Sequence, residues 1–422
     1  MNRPEVHLSP DAAGWARLVS FESDRHADER SRLGLPTDRP IVMAGHQGGL
    51  WHAGIAAKLI AARALADRIG GAAAWLVVDT TDEDPLSYRS PSRDASGIYT
   101  ERSAQIDDPP GSDRDKADNS FDEHAAARHA RIREAWHRQP TETDAHTRAT
   151  LAAIDLLGEP EPIIIRASDL PRTGAFGAIV EAFRRDAAAI RSSYNNAAAM
   201  YPDAGIAPLA GDHLPLWRRT PSGARLPARD RDLEFETRPD LLPKALVTTG
   251  VARAGLCDAF VHGTGGVGYE PINDRWLAEI VGHGLAPFVT ATATLRLRFE
   301  GDAVTREDAA RAAWRAHHAR HHPGVLGDAD AEADRERIVA RIEELPYLDP
   351  RRQKLYQELH AVIREARDRN ADALGRMRSE ADAFAARASE AALRSDRTWP
   401  AALHDPADLD ALRLEIDRAF GP

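Results

Sequence analysis

Residues 41–84 read IVMAGHQGGLWHAGIAAKLIAARALADRIGGAAAWLVVDTTDED, and this stretch decides the fold. The apolar run 41–44 follows Pro40 and leads into Gly45-His46-Gln47-Gly48-Gly49, the pattern of a strand feeding a tight loop. From Leu50 onward, Trp51, Ile55, Leu59, Ala62, Leu65 and Ile69 recur at three- and four-residue spacing, which predicts a helix that Gly70-Gly71 ends. The run 74–78 predicts a second buried strand, closed by Asp79. Strand, glycine turn, helix and strand make a βαβ unit whose strands run parallel. Ligands of such sheets sit beyond the carboxyl ends of the strands, where the glycine turn and the acidic stretch 79–84 both emerge.

The same logic recurs downstream. An apolar segment passes through Leu246, Val251 and Leu256, the run 259–261 predicts a strand, and His262-Gly263-Thr264-Gly265-Gly266 follows it. A helix over 273–281 and a strand over 288–297 complete the unit. Between the two units the spacing predicts helices at 123–136, 145–157 and 176–194 and a strand at 163–165. Residues 86–122, polar and poor in large aliphatics, read as a surface loop or lid. Together these elements predict an α/β fold, Rossmann-like and doubly wound around a mainly parallel sheet.

Beyond residue 300 the strand signal ends. Ile338, Ile342 and Leu345 form one apolar stripe before the break at 346–350, and Leu355, Leu359, Val362, Ala366, Ala373, Met377, Phe384, Ala388 and Ala391 form another. Such spacing predicts an antiparallel coiled-coil hairpin that pairs with a second copy. The expected organisation is a core over 1–300, a helical coiled coil over 301–395, and a helical segment over 396–422 returning to the core.

The chain of 422 residues carries 55 basic and 66 acidic side chains, a net charge of -11 that repels polyanions and argues against nucleic-acid binding. Cys257 is the single cysteine, which excludes an internal disulfide and multi-cysteine metal centres and suits a reducing cytoplasm. No stretch approaches the roughly 18 apolar residues of a membrane span. The expectation is a cytoplasmic protein with a small-molecule substrate.

Each glycine turn has two readings. Gly45, Gly48 and Gly49 present backbone donors to an anion or simply permit a tight turn, and the same holds for Gly263, Gly265 and Gly266. His46 and Gln47 orient a phosphate or carboxylate, and His46 or His262 acts as general base. Lys58, one of four lysines, either snorkels along the sheet or points its ammonium at the ligand. Asp79 and Asp82 are candidate magnesium ligands or ribose contacts, and Tyr269 and Asp274 extend the second turn. His317, His318, His321 and His322 lack the carboxylate of an HExxH motif and read as surface residues, so no resident transition-metal site is expected.

The segment 42–84 resembles the bacillithiol biosynthesis cysteine-adding enzyme family, in which a TGQQ-like turn, a helix bearing a lysine and an EDHD-like stretch follow in this order. Here Ala44-Gly45-His46-Gln47, Lys58 and Thr81-Asp82-Glu83-Asp84 occupy those places, with His46 in place of a glutamine and no histidine in the acidic stretch. The resemblance implies a Rossmann-type core, a coiled coil used in dimerisation, and addition of cysteine to the amine of a glucosaminyl malate precursor. Activation of the carboxylate by ATP, with magnesium, follows from that chemistry. Two alternatives stand beside it: a nucleotidyltransferase, because the turn is similar to the HxGH signature, and a noncatalytic small-molecule binder.

Overall fold

The computed structural model describes residues 3–22, 26–93, 98–107, 123–233, 240–299 and 303–421. In chain order these form strands β1 (Glu5–Ser9), β2 (Ile41–Gln47), β3 (Ala72–Val78), β4 (Ser87–Arg93), β5 (Tyr99–Gln105), β6 (Ile163–Arg166), β7 (His213–Arg219), β8 (Arg225–Arg229), β9 (Leu241–Pro243), β10 (Ala259–His262) and β11 (Phe288–Thr294). The helices are α1 (Ala27–Arg32), α2 (Ala53–Arg68), α3 (Glu123–Arg138), α4 (Ala145–Leu157), α5 (Gly174–Ala199), α6 (Ala245–Gly255), α7 (Glu270–Val281), α8 (Arg306–Ala319), α9 (Ala329–Glu343), α10 (Arg351–Arg369), α11 (Ala371–Ser389), α12 (Ala391–Ser395) and α13 (Pro406–Ala419).

The molecule is a mixed α/β protein built on a six-stranded sheet of order β1-β11-β10-β2-β3-β6. Neighbours from β11 to β6 pair in parallel, and β1 closes one edge antiparallel to β11. Strand alternation splits the core. Val42 and Ala44 face α2, whereas Ile41 and Met43 face the layer that contains α5, α6 and α7.

Helix α2 is buried over almost its whole length, with Arg63 the main interruption. The sheet covers one side, and Leu409, Leu412 and Ile416 of α13 with Trp15 and Phe420 cover the other. A helix so rich in alanine and so poor in charge fits between two layers, where each fully buried leucine or isoleucine contributes about 1.5–3 kcal/mol. Gly70, in the left-handed conformation at φ +65°, ends the turn after α2 as its sequence predicts.

Several expectations are corrected. Strand β2 continues through Gln47, pairing residue for residue with β3, so Gly45, His46 and Gln47 belong to a strand end instead of a loop. Helix α2 begins at Ala53 under a His52 cap, so the backbone of Gly48 and Gly49 is not a helix N-terminus. The expected loop at 86–122 contains the antiparallel pair β4–β5, and its residues 94–97 and 108–122 lie outside the described residues. Tyr88, Ser90 and Ser92 alternate inward along β4, and serines in buried positions disguise the strand. A three-stranded sheet, β8-β7-β9, is also absent from the sequence reading.

Past residue 305 the chain runs out through α8 and α9, turns at 344–350, and returns through α10 and α11. Helix α9 packs on α10 and α8 on α11. Ile338, Ile342 and Leu355 form the small core of the outer pair, with Leu345, Leu359 and Val362 against it. The stripe expected to run unbroken from Leu355 is interrupted at Asn370, whose φ of -111° and ψ of 24° leave the helical range. The outward limb is interrupted at the same level, over 320–328, and Arg369 and Asn370 both bind the Asp328 carboxylate there. At the base, Glu390 is buried and its Oε1 accepts the Tyr99 N–H at 2.9 Å. Among the described residues, no helix is long and apolar enough to cross a membrane.

Candidate functional site

The order of the parallel strands places a crevice. The chain proceeds from β2 outward through β3 to β6, then returns to lay β10 and β11 on the other side of β2. The connection after β2 leads to α2 on one face, and the connection after β10 leads to α7 on the other. Loops diverging from adjacent strands open a cleft at their carboxyl ends. A cavity of about 350 Å³ lies there, walled by the end of β2, the turn after β10, the start of α2 and one face of α6.

Gly45, His46, Gln47, Lys58, His262, Gly263, Gly265, Gly266 and Tyr269 line this cavity, so residues more than 200 positions apart meet as the two-turn reading requires. Gly48 and Gly49 do not line it. A Cβ at 48 would collide with the His146 backbone of α4, so that glycine permits a close packing contact. Asp79, Asp82 and Asp274 are also outside the wall. Asp79 accepts hydrogen bonds from the backbone and hydroxyl of Ser168, capping the turn after β6. Asp82 forms a two-pronged pair with Arg225 of β8, and Asp274 pairs with Arg253 of α6. Acidic groups beside strand ends found local partners that sequence position does not reveal.

Lys58 is 6% exposed and donates from Nζ to the Gly45 carbonyl at 2.5 Å, with the Trp75 ring 5.5 Å from the amine. Burial lowers its pKa to about 7, since a desolvated ammonium is disfavoured and, among the described residues, no carboxylate lines the cavity to offset that cost. Its neighbours are neutral at that pH. Burial and then the Lys58 charge bring His46 down to about 3, and burial followed by Arg397 brings His52 to about 4. His52 Nδ1 accepts the Gly54 N–H at 3.0 Å, which fixes the proton on Nε2. Among these groups, Lys58 has the basicity suited to proton transfer near neutrality.

Behind the second turn lies a buried ion network. Glu270 is fully buried, receives Arg253 and Asn273 on one oxygen, and places the other 2.8 Å from His262 Nε2. Burial pushes the Glu270 carboxyl upward, but His262 and Arg253 outweigh it and keep it ionised. Burial drives the His262 pKa down, leaving a neutral imidazole that faces the carboxylate with Nε2 and the turn with Nδ1. A Cβ at residue 266 would strike that Nδ1, so Gly266 is required by the close approach of the turn to the ring. By contrast, a Cβ at Gly265 would meet open space, and the turn backbone there remains free for a ligand. Burial and then the Glu270 charge raise the Tyr269 pKa, so its hydroxyl keeps its proton.

Sequence reasoning missed His52, Thr248, Thr249, Thr292 and Arg397, all of which line the cavity. Arg397 is exposed and arrives from the far end of the chain, because Ala401 donates to the Trp51 carbonyl and His52 bridges to Pro400. His52 caps α2, but the sequence reading began that helix at Leu50, which hid the capping position. Cys257 is buried, and desolvation followed by the Asp258 charge raises its pKa, which marks it as inert. Among the described residues, no group of three or more His, Cys, Asp or Glu side chains is placed to hold a metal ion.

The fold and cavity together define an α/β protein with a cavity at the reversal point of a mainly parallel sheet. No protein-family model matches the chain, and no curated protein matches it.

Proposed function

We propose that the chain is a ligase-like enzyme on a Rossmann-like core, joining the carboxylate of cysteine or a related amino acid to the amine of an amino-sugar conjugate such as glucosaminyl malate. The observation that carries this reading is the rim cavity in which buried Lys58 meets the 263–266 turn with, among the described residues, no carboxylate in the wall. Negative charge is therefore welcome there. The backbone of Gly263 and Gly265 and the guanidinium of Arg397 hold the acidic substrate, and Tyr269 donates a hydrogen bond. An amine attacks an acyl carbon only as the free base, so the second task is to remove its proton. Unprotonated Lys58 takes that proton at Nζ, and the neutral imidazoles of His46 and His52 provide hydrogen-bonding walls that add no competing positive charge.

ATP, which the resemblance implies, supplies activation of the carboxylate, and the wall suits its phosphates: Arg397 and the 263–266 backbone would hold them, leaving Lys58 free as the base. Magnesium does not fit at Asp79 and Asp82, whose oxygens are taken by Ser168 and Arg225. Incubating the protein with cysteine, glucosaminyl malate and ATP and analysing products by mass spectrometry tests the reading. The expected product is the amide. Pyrophosphate release with a nucleotidylated product would instead assign nucleotidyl transfer, and saturable binding without turnover would assign a noncatalytic binder.

We also propose that the helical hairpin is a coiled coil through which two copies associate, in a cytoplasmic setting that suits the lone buried thiol. Tyr347 and Leu348 at its tip are 86% and 87% exposed, with Tyr356 beside them. Light scattering should give twice the 46.1 kDa chain mass, falling to the single-chain value for Tyr347→Ser with Leu348→Ser. A single-chain mass for the unaltered protein at micromolar concentration would reject the association.

A further inference from the structure

We propose that the Lys58 amine is also a covalent attachment point, condensing with the carbonyl carbon of a small 2-oxo acid to form an imine inside the rim cavity. The inference rests on the reading of this cavity as a site for small anions. Three features of the structure support it. Lys58 Nζ is enclosed and anchored to a backbone carbonyl acceptor, and among the described residues no acidic side chain in the wall holds it as an ammonium. Its stem borders the second turn, where a Cβ at Gly263 would stand 3.6 Å from Lys58 Cδ. The open backbone at Gly265 lies two residues along that turn. A ligand whose carbonyl and carboxylate are one bond apart thus places its electrophile at the amine and its charge on the turn. The depressed basicity of Lys58, about 7, supplies the free base that attack needs at neutral pH.

The step balances without a redox partner. The amine lone pair forms the new carbon–nitrogen bond, the carbonyl oxygen departs as water with the two amine hydrogens, and the imine nitrogen takes up a proton from solvent.

The lysine inventory makes a test clean, because the other three are Lys116, Lys244 and Lys354. Lys244 is half-buried, donating to the Leu214 carbonyl, and Lys354 is exposed. The full-length protein is incubated with pyruvate and sodium cyanoborohydride at neutral pH, digested, and mapped by mass spectrometry. The expected result is a reduced adduct on Lys58 in at least tenfold excess over Lys354, suppressed by malate. Lys58→Met, which fills the same space without charge, should abolish the labelling at this site while labelling of Lys354 persists. Equal or greater labelling of exposed Lys354 overturns the proposal. If malate shifts the melting temperature while Lys58 stays unlabelled, the imine falls and the anion site stands. If neither occurs, both fall.

Discussion

Lys58→Met is expected to raise the thermal stability of the protein at neutral pH while removing its ability to bind a small anion. Burial holds the folded-state pKa near 7, against 10.5 for an ordinary lysine. Between these values the unfolded chain binds more protons than the folded one, so stability rises with pH across this window and is lowest below pH 7. The penalty at neutrality is several times the about 1.4 kcal/mol that one pKa unit represents. Methionine fills the same space without charge and forfeits one hydrogen bond to Gly45, a loss of about 1–3 kcal/mol. A net gain of about 2 kcal/mol should remain at pH 7, cross zero within the window, and become a loss of about 1–3 kcal/mol toward pH 10.5, where only the missing hydrogen bond counts. Paired denaturant titrations of both proteins at pH 7 and pH 10 measure it. A variant less stable than the parent at pH 7 would show that the amine is held by favourable interactions instead of being tolerated for use.

The opposite sign is expected behind the second turn. Arg253→Met strips the guanidinium from Glu270, which is fully buried, and leaves its carboxylate facing a neutral imidazole. Removing one partner of a buried pair costs about 3–5 kcal/mol. The loss should shrink on acidification, because an unpaired Glu270 can escape its penalty by taking a proton. It should shrink also in the double variant with Glu270→Leu, which removes the stranded charge. Equal destabilisation by the single and double variants would locate the effect in the Ala286 and Asp274 contacts of Arg253 instead.

What the sequence disclosed follows from how local each signal is. The runs 41–44 and 74–78 are buried on both faces, so continuous apolarity marks them as parallel strands before any coordinates are known. Lys58 was legible because a lysine at the edge of an apolar stripe must either snorkel to solvent or turn inward, and its burial against the Gly45 carbonyl shows that it turns inward. The edge strand β1 alternates exposed and half-buried residues, and β4 turns serines inward, so neither offers an apolar run to read. The acidic stretch misled for a different reason. Asp79 and Asp82 do stand at a strand's carboxyl end, but Ser168 and Arg225 reach them across the sheet's rim from 89 and 143 residues away. Arg397 is harder still, because contacts remote in sequence, the pairing of 400–401 with 51–52 and the Arg89 bonds to Asp396 and Thr398, bring it to the cavity.

The matched interruptions at 320–328 and Asn370 give the projecting limbs a knuckle. Beyond it, the 19-residue helix α10 spans about 28 Å at 1.5 Å per residue. A flexion of about 10° at that level carries the far end through about 5 Å. Any such swing would act above the anchor where Glu390 accepts the Tyr99 N–H at the base of the limbs.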